Sequence, residues 1–96
     1  MDETPLTAAL DARRRRLLFR ATHRGTREND LLVGGFVAAR IAAFTDLEMD
    51  AVEEILEMPD PAVSDWLTGR SPLPEGSPML RAMREAALNG RKDVLF

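Results

Sequence analysis

An arginine, a glycine and a glutamate lie close together in the first third of the chain, at Arg24, Gly25 and Glu28. A guanidinium group donates hydrogen bonds in a fixed fork, and a carboxylate accepts them. Glycine between them would let another backbone approach closely. From the residues alone, two interpretations stay open. The group is a docking site for another protein, or it is a local ion pair contributing about 0.5 kcal/mol.

The helix that must position these residues lies in the most apolar stretch of the chain, residues 24–44. We predict that it begins after a cap at Thr26. Beyond Asp30 its apolar side chains point in nearly every direction around a helix, which indicates a buried central helix. Gly34 and Gly35 weaken a helix by about 1 kcal/mol each relative to alanine. A close helix crossing would explain them.

The rest of the chain predicts four further helices and no strand. The sequence therefore indicates an all-α fold, a five-helix bundle in a single domain over residues 1–96, with a core over about 5–90 and a tail over 91–96. The first helix is expected from Thr4-Pro5 to about Thr22, and the third begins with a capping box from Thr45 to Glu48. The fourth begins at Asp60-Pro61 and is closed by Gly69, and the fifth runs from Ser77-Pro78 to Gly90. Expected core residues include Phe36, Leu47, Val52, Ile55, Leu56, Trp66 and Leu88.

Charge is distributed unevenly although the net charge is only −3. Residues 13–27 hold seven arginines and no acid, and residues 46–65 hold eight acids and no base. This asymmetry favours either a basic face presented to a partner or two solvated helix faces. The four consecutive arginines span about 300° of a helix, so at least one must lie along the apolar seam with its head group at a carboxylate or water. Phe19 is the aromatic side chain we most expect outside the main core, the alternative being that it packs on a neighbouring helix.

Composition excludes several classes of site. Cysteine is absent and histidine occurs once, which excludes disulfides, thiolate metal sites and a multi-histidine metal site within one chain. His23 is the only imidazole available as a base, and no nucleophile motif accompanies it, so we predict no catalytic residues and no enzyme activity. No apolar run reaches the ~18 residues of a membrane span, and no secretory signal is present, so we expect a cytoplasmic protein without membrane insertion.

The arginine-rich first helix leaves nucleic-acid binding as an alternative function. Against it stand the sequence pI of about 5.1, the acidic segment and the absence of tyrosine for base stacking.

The chain resembles the succinate dehydrogenase FAD assembly factors, a family of small helical proteins also called flavinylation factors. The resemblance rests on the Arg-Gly-x-x-Glu motif at residues 24–28, with Phe19 and Arg20 upstream and Asp30 downstream. A Leu-Leu-Val-Gly run at residues 31–34 and an Asp-Pro-x-x-x-x-Trp-Leu-x-Gly pattern at residues 60–69 extend it, so that it covers about residues 11–70. Thr26 and His23 depart from residues common in familiar members, which could alter client preference.

The resemblance implies an assembly factor that is not a redox enzyme. Such factors bind the flavoprotein subunit of succinate dehydrogenase, and in some bacteria that of fumarate reductase, and promote covalent attachment of FAD to a client histidine. FAD is then the client's cofactor, with none bound stably by the factor, which we expect to be a monomer. Whether it holds a client conformation or assists proton transfer stays open; the first is favoured. The implied partner-binding residues are Arg16, Phe19, Arg20, Arg24, Gly25, Arg27, Glu28 and Asp30.

As a docking residue, Arg24 should be replaceable by alanine with the fold nearly intact. Alanine at the core positions Phe36 or Trp66 should instead cost roughly 3 kcal/mol or more.

Overall fold

A computed structural model describes the backbone over residues 10–94 and the side chains over residues 10–89. Within that part of the chain the structure is all-α and has no strand, which confirms the expected fold class. The helices are α1 (Ala12–Thr22), α2 (Arg27–Arg40), α3 (Asp46–Leu56), α4 (Asp60–Thr68) and α5 (Pro78–Val94), with a 3₁₀ turn (Ile41–Ala43) after α2.

The first helix begins later than the sequence indicated. Leu10 lies in a bend, and Asp11 caps α1 by accepting a hydrogen bond from the Arg14 backbone N–H at 2.9 Å. The expected single helix up to Thr22 is therefore wrong at residues 10 and 11, because an N-cap residue is extended and interrupts helical backbone. The proposed start at Thr4-Pro5 lies outside the described residues.

Helices α1 and α2 cross closely at Gly34. A Cβ on Gly34 would lie 2.8 Å from Thr22 Cγ2 and 3.0 Å from the Ala21 carbonyl oxygen. This contact confirms the expected close crossing for Gly34. It does not extend to Gly35, which is exposed and would place a Cβ in open space among the described residues.

The second helix is only partly buried, and the expectation of a fully buried central helix is wrong. Val33, Phe36 and Val37 lie in the core, but Leu31 is 65% exposed and Ala39 is also exposed. Helices α1, α4 and α5 pack against α2 but do not enclose it, so that Leu31 and the small residues Gly35 and Ala39 remain at the surface.

Helix α3 begins at the expected capping box. The Thr45 hydroxyl accepts from the Glu48 backbone N–H at 3.1 Å, and the Glu48 carboxylate accepts from the Thr45 backbone N–H at 2.8 Å. Leu47, expected in the core, is 79% exposed, and Met49 is buried in its place. Spacings of three and four residues link Met49 to Val52 and Leu56 on the core side, and Leu47 falls outside this series.

The last two helices differ from expectation at their ends. Pro59, not Asp60, occupies the N-cap of α4, and Gly69 closes that helix in the left-handed region as expected. Helix α5 continues through Gly90 to Val94, because a glycine weakens a helix without obligatorily ending it. Leu88 is 40% exposed and lies at the margin of the core instead of inside it.

The core joins all five helices. Val52, Ile55 and Leu56 are buried as expected, and Trp66 packs against the core while partly exposed. The buried apolar side chains are Leu10, Leu17, Leu18, Ala21, Val33, Phe36, Val37, Ile41, Phe44, Met49, Val52, Ile55, Leu56, Val63, Leu67, Leu80, Met83 and Ala87. No helix among the described residues is long and apolar enough to cross a membrane.

Arg14 is the arginine that lies along the apolar seam. Its Nε donates to the Ile41 carbonyl oxygen at 3.0 Å, and a second guanidinium nitrogen donates to the Phe44 carbonyl oxygen. Its remaining head-group contact is the Asp11 carboxylate at 2.7 Å. The expectation of one such arginine is confirmed, and its main acceptors are the carbonyl groups left free where α2 ends.

Candidate functional site

The turn between α1 and α2 places Gly25 at the surface. Its φ is +107°, in the region that favours glycine, and a Cβ added there would have no described atom within 4 Å apart from its chain neighbours. Helix α1 has already ended with its C-cap at His23. Gly25 therefore supplies a backbone conformation and leaves the space above the turn open.

Arg24 lies under this turn, and its side chain is only 6% exposed. Its Nε donates to Asp60 Oδ1 at 2.7 Å. The two terminal guanidinium nitrogens donate to the Leu56 carbonyl oxygen at 3.0 Å and the Met58 carbonyl oxygen at 2.7 Å. Arg24 thus ties the α1–α2 turn to the end of α3 and the start of α4.

This geometry contradicts a local pair of Arg24 with Glu28 and leaves the docking interpretation to the other residues of the group. The Arg24 guanidinium does not project outward as a donor fork, and its acidic partner is Asp60 instead of Glu28. The physical reason is that α3 ends nearby with free carbonyl groups, which a buried guanidinium satisfies better than an exposed local pair would. The expectation that Arg24 can be lost without harm to the fold is accordingly reversed.

Two side chains of α2 hold the same turn from the other side. Asp30 accepts a hydrogen bond from the Arg24 backbone N–H at 2.6 Å. Asn29 is fully buried, and its Nδ2 donates to the Asp60 carbonyl oxygen at 3.0 Å. Asp30 therefore holds the backbone of the turn, and Asn29 holds the first turn of α2 against the start of α4.

Glu28 is the motif side chain that remains at the surface, with 49% of its side chain exposed. Its Oε1 accepts from the Ser64 hydroxyl of α4 at 2.6 Å. Arg70 donates to the same hydroxyl at 2.9 Å and lies 3.9 Å from Glu28 Oε1. The carboxylate is thus oriented by α4 and by the residue that follows its glycine cap.

Two of the five arginines of α1 are paired with acids of α3 and its C-cap. Arg13 bonds to Asp50 at 2.6 Å and to Glu53 at 3.1 Å, and Arg20 bonds to Glu57 at 3.2 Å. The carboxylates that accept these bonds raise the pKa of the Arg13 guanidinium, Glu53 having the larger effect. The charge asymmetry of the sequence is therefore partly neutralised within the fold.

This pairing leaves little support for nucleic-acid binding. Of the seven arginines in residues 13–27, only Arg15, Arg16 and Arg27 are exposed without an acidic partner among the described residues. Arg13 and Arg20 form ion pairs with acids of α3 and its C-cap, so they are not free to bind phosphate groups.

Phe19 is 61% exposed, which confirms its expected place outside the core. Instead of packing on a neighbouring helix, its ring stacks on His23 with the centroids 4.0 Å apart. The two rings line a cleft of about 380 Å³ together with Arg20, Arg24 and the α3–α4 connection around Met58. The His23 ring contacts the Phe19 carbonyl oxygen and the Thr22 hydroxyl, and no described carboxylate hydrogen-bonds to it.

The eight residues proposed from the sequence thus fall into two neighbouring groups and one outlier. Phe19, Arg20 and Arg24 share the cleft, and Gly25, Arg27, Glu28 and Asp30 form the turn and the start of α2. Arg16 is exposed on α1 and does not line the cleft. No group of three or more acidic or histidine side chains suited to a metal ion occurs among the described residues.

Sequence reasoning missed Asp60, Ser64 and Arg70 as parts of this site. Asp60 was interpreted as a helix cap, but its carboxylate accepts from Arg24 and Asn29 instead. Ser64 and Arg70 gave no local signal, because their contacts to Glu28 span more than thirty residues of chain.

Comparison with known proteins identifies relatives whose names concern FAD or succinate dehydrogenase assembly. A family model described as flavinator of succinate dehydrogenase matches residues 15–87. The chain is 60% identical over 78 residues to the FAD assembly factor SdhE of Acetobacter pasteurianus, covering 79% of this chain and 72% of that protein.

Two mitochondrial proteins, each named succinate dehydrogenase assembly factor 2, are more distant. The one from Debaryomyces hansenii is 31% identical over 93 residues, covering 91% of this chain and 66% of the relative. The one from Saccharomyces cerevisiae is 32% identical over 92 residues, covering 90% of this chain and 57% of the relative. The chain thus spans about six tenths of the length of these mitochondrial relatives.

Proposed function

The chain belongs to the family of flavinators of succinate dehydrogenase, and from that membership we propose that it binds the flavoprotein subunit of this enzyme and promotes covalent attachment of FAD to it. Its family consists of assembly factors instead of catalysts of succinate oxidation. The partner, the covalent reaction and the surface used are the subjects of this proposal.

The observation that carries the proposal is a rigid turn with open space above it. Gly25 has a positive φ and no described side chain covering it, while Arg24, Asn29 and Asp30 fix the backbone on both sides. A glycine held in this way offers a flat backbone surface whose position does not have to be ordered on binding. We assign the turn to contact with the client.

Arg24 and Glu28 have different roles in this proposal. Arg24 acts indirectly, because its buried guanidinium holds the turn between the ends of α3 and α4. Glu28 acts directly, because its carboxylate is half exposed beside the turn. Phe19 and Arg20, on the other side of Gly25, extend the contact surface along α1.

The mechanism that fits this surface is positioning of the client. Covalent attachment of FAD needs the flavin and the client histidine in a reactive geometry, and holding client segments in place can supply it. We propose that the proton transfers belong to the client and its flavin, since His23, the one imidazole of the chain, has only the Phe19 carbonyl oxygen and the Thr22 hydroxyl beside Nδ1 among the described residues. We propose that FAD is bound by the client and not stably by this chain.

The proposal is tested by mixing the purified chain with the cognate flavoprotein subunit and measuring complex formation by size-exclusion chromatography and calorimetry. We expect a one-to-one complex and no appreciable affinity for duplex DNA or RNA. Failure to bind the subunit, together with submicromolar and steeply salt-dependent binding of nucleic acid, would overturn the proposal.

A further inference from the structure

Glu28 is held by three side chains linked by hydrogen bonds, which no sequence motif predicts: Ser64, Arg70 and Asp65. Asp65 accepts a hydrogen bond from Arg70 Nε at 2.9 Å. A terminal nitrogen of Arg70 donates to Ser64 Oγ at 2.9 Å, and Ser64 Oγ donates to Glu28 Oε1 at 2.6 Å. The chain of contacts runs from α4 and its C-terminal turn to the first turn of α2.

The direction of these hydrogen bonds fixes the orientation of the Glu28 carboxylate. A serine hydroxyl has one proton to donate, and here the Arg70 contact occupies its acceptor side, so the proton points at Glu28. Oε1 is therefore engaged, and no hydrogen bond within the described residues uses Oε2. The free oxygen is the one available to a partner.

Arg70 is itself held in place although its side chain is 58% exposed. The Asp65 carboxylate, through its hydrogen bond, raises the pKa of the Arg70 guanidinium. Gly69 precedes it in the left-handed region with φ +85°, which turns the chain so that Arg70 lies back along α4. The Ser71 backbone N–H, bonded to the Asp65 carbonyl oxygen at 3.1 Å, fixes this return.

We propose that Ser64 and Arg70 are positioning residues that hold the Glu28 carboxylate in the orientation in which it contacts the flavoprotein subunit. This inference rests on the proposed function. It adds Ser64 and Arg70, which act through Glu28, to the residues on which client binding depends. It also means that the strength of client binding is set partly by residues outside the Arg-Gly-x-x-Glu motif.

The test is a double-mutant cycle on client affinity. Ser64→Ala should weaken binding of the cognate flavoprotein subunit roughly three- to tenfold, since a hydrogen bond to a charged group is lost at a half-exposed site. Ser64→Thr keeps the hydroxyl and should restore most of the affinity. In a Glu28→Ala background, Ser64→Ala should have no further effect, because Ser64 acts through Glu28.

Matched controls separate positioning from stability. Ser71→Ala removes a serine hydroxyl without a hydrogen bond among the described residues, and Arg81→Ala removes an exposed arginine without an ion pair among them. Both should bind like the unaltered chain, whereas Arg70→Ala should weaken binding as Ser64→Ala does. All variants should keep the thermal midpoint within a few degrees, because the altered side chains lie at the surface.

The outcomes distinguish this inference from the function on which it rests. Binding by the unaltered chain together with full affinity of Ser64→Ala and Arg70→Ala would overturn the positioning role and leave the proposed function in place. An equal loss in the presence and absence of Glu28 would also overturn it. No binding by the unaltered chain would overturn the proposed function, and the inference with it.

Discussion

Replacing Arg24 by alanine should destabilise the fold about as much as opening a cavity in the core. The change removes a guanidinium that is 6% exposed, leaves the Leu56 and Met58 carbonyl oxygens without that donor, and leaves the Asp60 carboxylate with Asn29 alone. Breaking a buried ion pair on one side costs about 3–5 kcal/mol. Because the Asp60 side chain is 25% exposed, we expect the lower end, about 3 kcal/mol.

The measurement is urea unfolding followed by circular dichroism. With a slope of roughly 1 kcal/mol per molar urea for a chain of this size, Arg24→Ala should lower the midpoint by about 2–3 M, close to the effect of Phe36→Ala. Arg24→Lys keeps the charge but cannot reach all three acceptors. Its midpoint should therefore lie between those of Arg24→Ala and the unaltered chain.

Arg27→Ala is the matched control, because Arg27 is exposed and has no ion pair among the described residues. Its loss should change the free energy of unfolding by less than about 0.5 kcal/mol. An Arg24→Ala midpoint equal to that of Arg27→Ala would refute the structural role of Arg24 and indicate an exposed side chain.

Three further predictions concern packing, pH and the cofactor. Gly34→Ala should lower the free energy of unfolding by about 1–3 kcal/mol, because its Cβ would meet Thr22 and the Ala21 carbonyl group. Gly35→Ala has open space around its Cβ and should raise that free energy by up to about 1 kcal/mol. Equal urea midpoints of the two variants would contradict the crossing at Gly34. The Arg14 backbone N–H lowers the pKa of Asp11 from its ordinary value of 3.8, so the cap stabilises the fold above that value and is lost as the pH falls below it. Asp11→Asn keeps a cap acceptor, so its thermal midpoint should fall less between pH 5 and pH 2; an unchanged pH dependence would argue against this contribution. The purified chain should be colourless and should bind added FAD weakly or not at all in calorimetry, and stoichiometric flavin absorbance would indicate a flavin carrier.

Much of the fold could be predicted from the sequence, because its signals are local. The capping box at Thr45, the left-handed Gly69 and the apolar spacing of α4 each depend on residues within one or two turns. The error at Leu47 lies in the first turn of α3, where few core positions constrain which side faces inward, and Leu88 lies at the margin of the core. The cap of α1 at Asp11 was not predicted, because the Thr4-Pro5 pair indicated a helix start earlier in the same stretch.

The motif residues of the candidate site stand out in the sequence, but their contacts and geometry do not. Arg24, Gly25 and Glu28 stand out by type and spacing, yet the direction of the Arg24 side chain depends on Asp60, 36 residues away in the sequence. The same holds for the pairing of Arg13 with Glu53 and of Glu28 with Ser64. Such contacts form only when the helices are packed, so charge patterns alone overestimated the basic face.

The central claim is that the open surface at Gly25 contacts the client, and Gly25→Arg tests it most directly. The matched control is Gly76→Arg, since Gly76 also has a positive φ, at +84°, with open space around a Cβ. Gly76 precedes Pro78, which lines a groove with Phe44 near the far end of α2. The two substitutions should cost similar backbone strain, about 1 kcal/mol.

The measurement is the fraction of succinate dehydrogenase flavoprotein that carries covalent flavin, read by in-gel fluorescence in cells lacking the endogenous factor and expressing each variant at equal level. We predict normal covalent flavin with Gly76→Arg and a loss of at least tenfold with Gly25→Arg, although both variants fold. Normal covalent flavin with Gly25→Arg would contradict the account and leave Gly25 as a residue of the turn alone.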